Sequence, residues 1–260
     1  MALKGSVAAL LISVFVVSSL APLAIASTAS TVTLGPRTVF DQVESMNWSG
    51  YAVTGSSVSA AEGSWVVPSV TCPSRGSSYA AFWVGIDGYS SDTVEQTGVL
   101  AHCSSGRASY SAWYEFYPAA MVTISSVPVS PGQVVSASVT YVSGSTFAVT
   151  LTDVTTGNAY STTGSVSGAE RSSAEWIVER PEVCSIFRCQ LTTLANFGAA
   201  EFGSDYTSVS GTNFATVGGL TGSISALGGT AINMVSMSGS LLDRANGLSG
   251  DGTSFTVTYG

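Results

Sequence analysis

The chain has 260 residues and is poor in charge: 8 Lys or Arg stand against 16 Asp or Glu, a formal net charge of −8 at pH 7. Lys4 is the only lysine, and the seven arginines (Arg37, Arg75, Arg107, Arg171, Arg180, Arg188 and Arg244) leave residues 27–260 at a formal −9. Such a chain carries no basic patch for a phosphate backbone, which excludes nucleic acid as a partner. At about pH 3 most of its carboxylates, with a reference pKa of about 4, are neutral. The few arginines then repel one another little, so the composition suits an acidic medium. An ordinary Ser/Thr/Gly-rich secreted β protein would show the same composition.

Lys4, the apolar run Val7–Leu23 and the small-x-small triplet Ala24-Ile25-Ala26 predict an export signal over residues 1–26, cut after Ala26. A single membrane anchor is the competing reading of the same run. No later segment is apolar for long enough to span a bilayer, so no membrane association is expected after signal removal. Residues 27–46, Ser/Thr-rich with a Gly-Pro pair, read as a leader arm or short propeptide.

From Asn47 onward short runs of Val, Thr, Tyr, Phe and Ile alternate with small polar residues, and Gly, Ser, Pro and Asn interrupt them. Strands are expected over Gly63–Val67, Tyr79–Ile86, Ser109–Tyr117, Val134–Tyr141, Thr146–Asp153, Ala174–Arg180 and Ser254–Tyr259. Turns are expected at Ser130-Pro131-Gly132 and Thr156-Gly157-Asn158. Residues 47–260 therefore predict one all-β domain, a two-sheet antiparallel β-sandwich. The Ser/Gly-rich stretch Gly218–Gly239 has only weak strand character. Four cysteines in an exported chain favour disulfides. Of the three possible pairings, Cys72–Cys103 with Cys184–Cys189 is expected. Their spacings and the single histidine, His102, match no zinc pattern, and no metal or cofactor is expected.

The usual nucleophile systems lack parts. A Ser–His–Asp or Cys–His arrangement would need His102 as base, but His102 adjoins a cysteine expected to be oxidised and reads as a surface residue, protonated in acid. Carboxylates and amides remain. Period-2 alternation puts Glu175, Ile177 and Glu179 on one face of AEWIVE and Trp176 and Val178 on the other. In YSAWYEFYP it groups Trp113, Glu115 and Tyr117, an acid among aromatics, the setting that raises a carboxyl pKa by desolvation. Gln96 lies mid-strand in VEQTGV. Glu95, Glu175 and Glu182 read as solvated surface acids, and Trp176 and Phe82 as core. Spacing alone does not choose between Glu175 and Glu179, and gives Gln96 little weight.

The ordered segments NWSGY, GSWVVPSV, AFWVGIDG, VEQTGV, YSAWYEFYP, ISSVPVSPGQ and AEWIVERP resemble those of the glutamic peptidases, or eqolisins, over nearly all of 47–260. The resemblance implies a concanavalin A- or jelly-roll-like sandwich whose concave face is the substrate cleft. It also implies metal-free peptide hydrolysis in acid by a secreted, monomeric enzyme acting on polypeptides. By matching motifs the catalytic pair is Gln96 and Glu179, with Trp48, Trp83, Asp87 and Glu115 lining or supporting the cleft. Glu179 would take a proton from water as general base and return it to the leaving nitrogen, while the Gln96 amide stabilises the developing oxyanion. Asp87 and Glu115 would hold the pair by hydrogen bonds. The chain departs from the fungal members at Phe116 and at Arg180-Pro181, which predicts an altered substrate preference or pH profile, and its leader is short for a full inhibitory propeptide. Two other readings compete. An acid glycoside hydrolase on a similar sandwich would use Glu115 and Glu179 as its two carboxylates, and a non-catalytic carbohydrate-binding module would need only the aromatics.

Overall fold

The alternation of β-branched and aromatic residues with small polar ones becomes a nearly all-strand fold in a computed structural model that describes residues 30–39, 43–185 and 188–260. The expected signal segment, 1–26, lies outside the described residues. Two short strands, β1 (Thr31–Thr33) and β2 (Glu44–Ser45), precede the long strands β3 (Trp48–Thr54), β4 (Val58–Val66), β5 (Ser77–Ile86), β6 (Val94–Ser104) and β7 (Arg107–Tyr117). After β8 (Val122–Thr123) come β9 (Val134–Ser143), β10 (Thr146–Asp153), β11 (Asn158–Ser165), β12 (Ser173–Glu179), β13 (Glu182–Cys184) and β14 (Cys189–Leu191). The chain ends with β15 (Ala199–Phe202), the one-turn helix α1 (Ser204–Thr207), β16 (Phe214–Val217), β17 (Leu220–Ser223), β18 (Thr230–Val235), β19 (Leu241–Ala245) and β20 (Phe255–Tyr259). Among the described residues no helix is long and apolar enough to cross a membrane.

One antiparallel sheet runs β8-β7-β6-β5-β12-β3-β18. The other runs β11-β10-β9-β4, where β15 and β16 pair with different ends of β4, and continues β15-β20-β19-β18. β18 belongs to both: Thr230–Ile232 pair with β3, and Met234 and Val235 pair with β19. The main core lies between the sheets and holds Phe82, Val84, Trp176 and Val178 from the first against Trp65, Phe147, Leu151, Phe202 and Phe255 from the second. The outer face of the first sheet carries a separate apolar cluster of Trp48, Trp83, Trp113, Leu100 and Ile177. The alternation in β12 explains both: Ala174, Trp176 and Val178 point into the main core, and Ile177, flanked by Glu175 and Glu179, points outward.

The expected strands all appear. β4 begins at Val58, five residues before the expected Gly63, because its first half, VSAAE, is too small and polar to read as buried. It is nonetheless clamped between β9 and β16. β11 (NAYSTTGS) escapes sequence reading for the opposite reason: as the last strand of its sheet it exposes alternate polar side chains and needs no apolar face. The weak stretch Gly218–Gly239 holds β17 and β18. Trp176 and Phe82 are fully buried, as expected, and His102 is partly covered, stacked on Tyr79 at 4.2 Å. The expectation of solvated acids at Glu95 and Glu175 is corrected: both are 0 % exposed. Glu182 is half-buried on β13, the central strand of the small sheet β1-β13-β14.

Both expected disulfides form, Cys72–Cys103 and Cys184–Cys189. The first ties the end of β6 to a loop 31 residues earlier, and the second closes the β13–β14 hairpin with a separation of 5 residues. Loop-closure entropy makes the long link the stronger, about 3–4 kcal/mol against about 2 kcal/mol. Replacing Cys72 and Cys103 together by Ala is therefore expected to lower Tm, followed by thermal denaturation at pH 4, further than replacing Cys184 and Cys189. An equal or smaller effect would place the stabilisation elsewhere.

Candidate active site

Five neighbouring strands of the first sheet each bring one polar or aromatic side chain to its outer face. Across the sheet these are Glu115 on β7, Gln96 on β6, Trp83 on β5, Glu179 on β12 and Trp48 on β3. Register sets the order: Gln96 lies directly opposite Glu115, and Glu179 lies opposite Trp48 on one side and Ala81 on the other. One strand separates the strands of Gln96 and Glu179, so their backbones stand about 10 Å apart, a gap that side chains reaching over β5 can close.

Trp83 occupies that gap. Its indole N–H donates to Glu179 Oε2 at 2.9 Å, and its ring meets that of Trp48 edge-on at 4.9 Å. The neighbouring glycines make room for it. A Cβ on Gly98 would sit 2.6 Å from Trp83 Cβ, and one on Gly85 would sit 2.8 Å from the Trp83 ring. The first Gly of WVGIDG thus serves the packing of the tryptophan ring, and the Gly of QTG serves the close approach of β5, where a Cβ would clash with the Phe82 carbonyl.

Gln96 uses both amide protons. Nε2 donates to Glu115 Oε2 at 3.0 Å and to the backbone carbonyl of Leu34 at 2.8 Å, while Oε1 is buried without a partner among the described residues. Leu34 belongs to the arm that precedes β2. It is 0 % exposed and joins the tryptophan cluster on this face. The next residue, Gly35, and the Asn47 side chain also influence the site, because both oppose the rise that burial imposes on the Glu179 pKa.

Burial is the leading electrostatic fact of the site. It pushes Glu115 up to about 9, against the opposing hydrogen bond from Gln96. It raises Glu179 well above the ordinary carboxyl range, with the nearby Glu115 adding to the rise and the Trp83 indole opposing it. Glu175, on the same face of β12, is also raised by burial. On the other face of β6, burial and then the charge of Asp87 push Glu95 to about 9, and both its carboxyl oxygens lack partners among the described residues.

Of the residues expected in the site, Gln96, Glu179, Trp48, Trp83 and Glu115 come together. Asp87 acts elsewhere, and the expectation that it holds the pair directly is corrected. Its carboxylate accepts from the backbone N–H groups of Arg171 and Ser172, each at 2.7 Å, and from Ser172 Oγ at 2.9 Å. It therefore fixes the chain where it enters β12, the strand that carries Glu179. Sequence reading missed Leu34, Gly35 and Asn47. The only signal for the first two was an apolar residue and a Gly-Pro pair inside a Ser/Thr-rich arm, and Asn47 stood in the quoted NWSGY segment with no role of its own. Among the described residues the one cluster with metal-ligand types is Glu182, Cys184 and Cys189, whose two sulfurs are bonded to each other.

The model of the Peptidase A4 family matches residues 46–259. The chain belongs to the Peptidase A4 family. It is 32% identical over 237 residues to Aspergillopepsin-2 of Aspergillus niger, covering 83% of this chain and 78% of that one. It is 36% identical over 161 residues to Scytalidopepsin B of Scytalidium lignicola, covering 59% of this chain and 60% of that one, so the second likeness spans less than two thirds of the relative. Among solved structures it is similar to scytalido-glutamic peptidase with a transition state analog inhibitor (TM-score 0.70, 27% identity, 83% of this chain and 98% of that chain). It is also similar to aspergilloglutamic peptidase from Aspergillus niger (TM-score 0.58, 33% identity, 70% and 99%). The resemblance read from the motifs is thus correct at family level, and this Peptidase A4 chain has the sandwich fold that membership implies.

The buried acids of this A4 chain couple its stability to pH. Unfolded carboxyls release their protons at about pH 4. Folded Glu95 and Glu115 hold theirs to about 9, and Asp243, raised chiefly by burial, to about 8. Between these limits the folded state binds more protons, so stability is fully present below about pH 4 and is lost as pH rises towards 8–9. Each excess proton steepens the fall by about 1.4 kcal/mol per pH unit. Tm is therefore expected to be highest near pH 3–4 and to drop steadily to pH 8, with a shallower drop in Glu95→Gln. A Tm that rises over this range would contradict the assignment of neutral buried carboxyls.

Proposed function

We propose that the chain is a secreted, acid-acting endopeptidase in which Gln96 and Glu179 carry out the chemistry. The observation that supports this best is the hydrogen bond from Gln96 Nε2 to a peptide carbonyl, that of Leu34, on the same sheet face as Glu179. Peptide hydrolysis must handle two atoms, a carbonyl oxygen and its amide nitrogen. The carbonyl oxygen gains negative charge in the tetrahedral intermediate and needs a donor already in place. The nitrogen must receive a proton as it leaves.

Glu179 in its carboxylate form removes a proton from the attacking water, and in its acid form returns that proton to the nitrogen. Gln96 holds the oxyanion throughout. An amide suits that role in acid because it does not titrate, whereas a second carboxyl would donate only when protonated. Glu115 orients the amide, Trp83 orients Glu179, and the tryptophans exclude bulk water, which strengthens each of these interactions. No step calls for a metal or a cofactor. Polypeptides are the proposed substrates, the enzyme is proposed to act as a monomer, and residues 27–46 are proposed as a leader distinct from the catalytic domain at 47–260. Export is supported by the segment over residues 1–26 and by the two disulfides.

Removing one oxyanion donor costs about 10²–10³ in kcat in comparable sites. Gln96→Ala is expected to fall by at least that factor on a denatured protein at pH 3–4, and Glu179→Gln to lose cleavage altogether, with both variants keeping the wild-type Tm at pH 4. A chelator is expected to leave the rate unchanged. A folded Glu179→Gln variant that still cuts peptide bonds would sink the assignment. Hydrolysis of a soluble glucan in place of protein would instead favour the glycosidase reading.

A further inference from the structure

We propose that Arg180 is a positioning residue for Glu179: its guanidinium clamps the Met46 carbonyl and so holds the Asn47 amide beside the catalytic acid. The proposal rests on the peptidase reading above and adds a residue that meets neither the substrate nor the reacting atoms.

Arg180 directly follows Glu179, where β12 ends. Its backbone N–H donates to Asn47 O at 2.8 Å, which carries the pairing of β12 with β3 one step past Glu179 and Trp48. Its side chain takes the preceding carbonyl, with Nη2 donating to Met46 O at 2.6 Å. One residue thus holds both peptide units that flank the Asn47 side chain. The second bond has a cationic donor, which makes it roughly twice as strong as a neutral one.

The Asn47 side chain opposes the rise that burial imposes on the Glu179 pKa. Its own orientation is set by neighbours: Oδ1 accepts from Ser45 Oγ at 2.9 Å and from Thr38 N at 2.6 Å, and Nδ2 donates to Pro36 O at 3.1 Å. A cavity of about 200 Å³ lies against the same residue, lined also by Tyr117 and Glu182. The side chain therefore has room to swing once its backbone is released, and the clamp on Met46 O removes that freedom.

The route to Glu179 is geometric. Burial and then Glu115 on β7 raise its pKa, and Trp83, Gly35 and Asn47 oppose the rise. Of these, Asn47 is the one that Arg180 holds. The titratable group that acts on the guanidinium is Asp243 on β19, which burial keeps protonated to about 8. In acid Asp243 is neutral and does not draw the guanidinium away from Met46 O. Releasing Asn47 weakens a contribution that favours the Glu179 carboxylate, so the midpoint of Glu179 moves up. The carboxylate is the form that takes the water proton, so cleavage suffers most at the lowest pH. The altered pH profile expected from the departure at Arg180-Pro181 thereby acquires a physical route.

The test follows the Trp83 indole N–H by NMR from about pH 2 to 8. That group donates to Glu179 Oε2, so it reports the ionisation of Glu179 without any cleavage. The same variants are assayed for kcat/KM on a denatured protein. Arg180→Met, similar in length but without a donor, is expected to move the Trp83 midpoint and the acid limb of kcat/KM upwards together. A move of about one pH unit costs roughly 10-fold in kcat/KM at pH 3. Arg180→Lys keeps a cationic donor and is expected to return most of the way to wild type. Asn47→Ala is expected to give the same upward move, with no further one when Arg180→Met is added. Asp243→Asn is expected to leave both midpoints in place. Arg180→Gln carries the same expectation as Arg180→Met should the latter fold poorly. Unchanged midpoints in these folded Arg180 variants, or a move reproduced by Asp243→Asn, overturn the clamp and leave the proposed function standing. A wild type that cleaves no protein across this pH range overturns the peptidase reading, and the proposal with it.

Discussion

The hydrogen bond between Gln96 and Glu115 is the interaction on which the rest of the site depends. An amide presents a donor on one side and an acceptor on the other, and only one of these can meet a carbonyl. Glu115, directly opposite on the neighbouring strand, takes one N–H at 3.0 Å and so fixes which way the amide faces. The second N–H is then aimed across the sheet surface at a peptide oxygen. Burial keeps this arrangement exclusive. Water could satisfy an exposed amide in any orientation, but at 0 % exposure Gln96 has few partners to choose from. The cost appears at Oε1, which is left without a partner among the described residues.

Glu179 is held by a different device, because its strand lies beyond β5. The indole of Trp83 reaches over from β5 and donates to its carboxyl. A ring of that size can lie on the sheet only where the position beneath it lacks a side chain, which ties Gly85 to the acid although it does not touch it. Asp87 works at a further remove by fixing residues 171 and 172 where the chain enters β12. Positioning therefore depends on backbone registry over four strands, which a rigid sheet supplies better than loops do.

Much of this was legible in the sequence, and the limits have physical causes. Period-2 alternation separated Trp176 and Val178 from Ile177 and Glu179 correctly, because each face of β12 buries a different apolar cluster. Alternation cannot say whether an outer face is wet, and so Glu175 was misplaced in solvent. Its burial follows from packing on the outer face, which only the folded chain displays. Glu95 failed otherwise: it stands on the inter-sheet side near Asp87, where an acid is costly and no residue pattern announces one. Gln96 had no signal in spacing at all. Family motifs supplied it, together with the choice of Glu179 over Glu175. The role of Leu34 was hidden because one apolar residue in a Ser/Thr-rich arm forms no period.

The buried acids outside the pair connect stability with working conditions. Glu95 and Asp243 contribute nothing to the proposed chemistry, yet each holds its proton well into the neutral range because burial disfavours its charged form. In acid they are neutral polar groups and cost the fold little. Near neutral pH the same groups press to ionise in places that cannot solvate them. A chain with so few cations has little else to offer them: Arg180 is the charge that partly compensates Asp243, and among the described residues no cation does so for Glu95. The scarcity of lysine and arginine that limits repulsion in acid thus also removes the means of stabilising these carboxylates at neutral pH. Acid stability and neutral lability follow from one feature of composition.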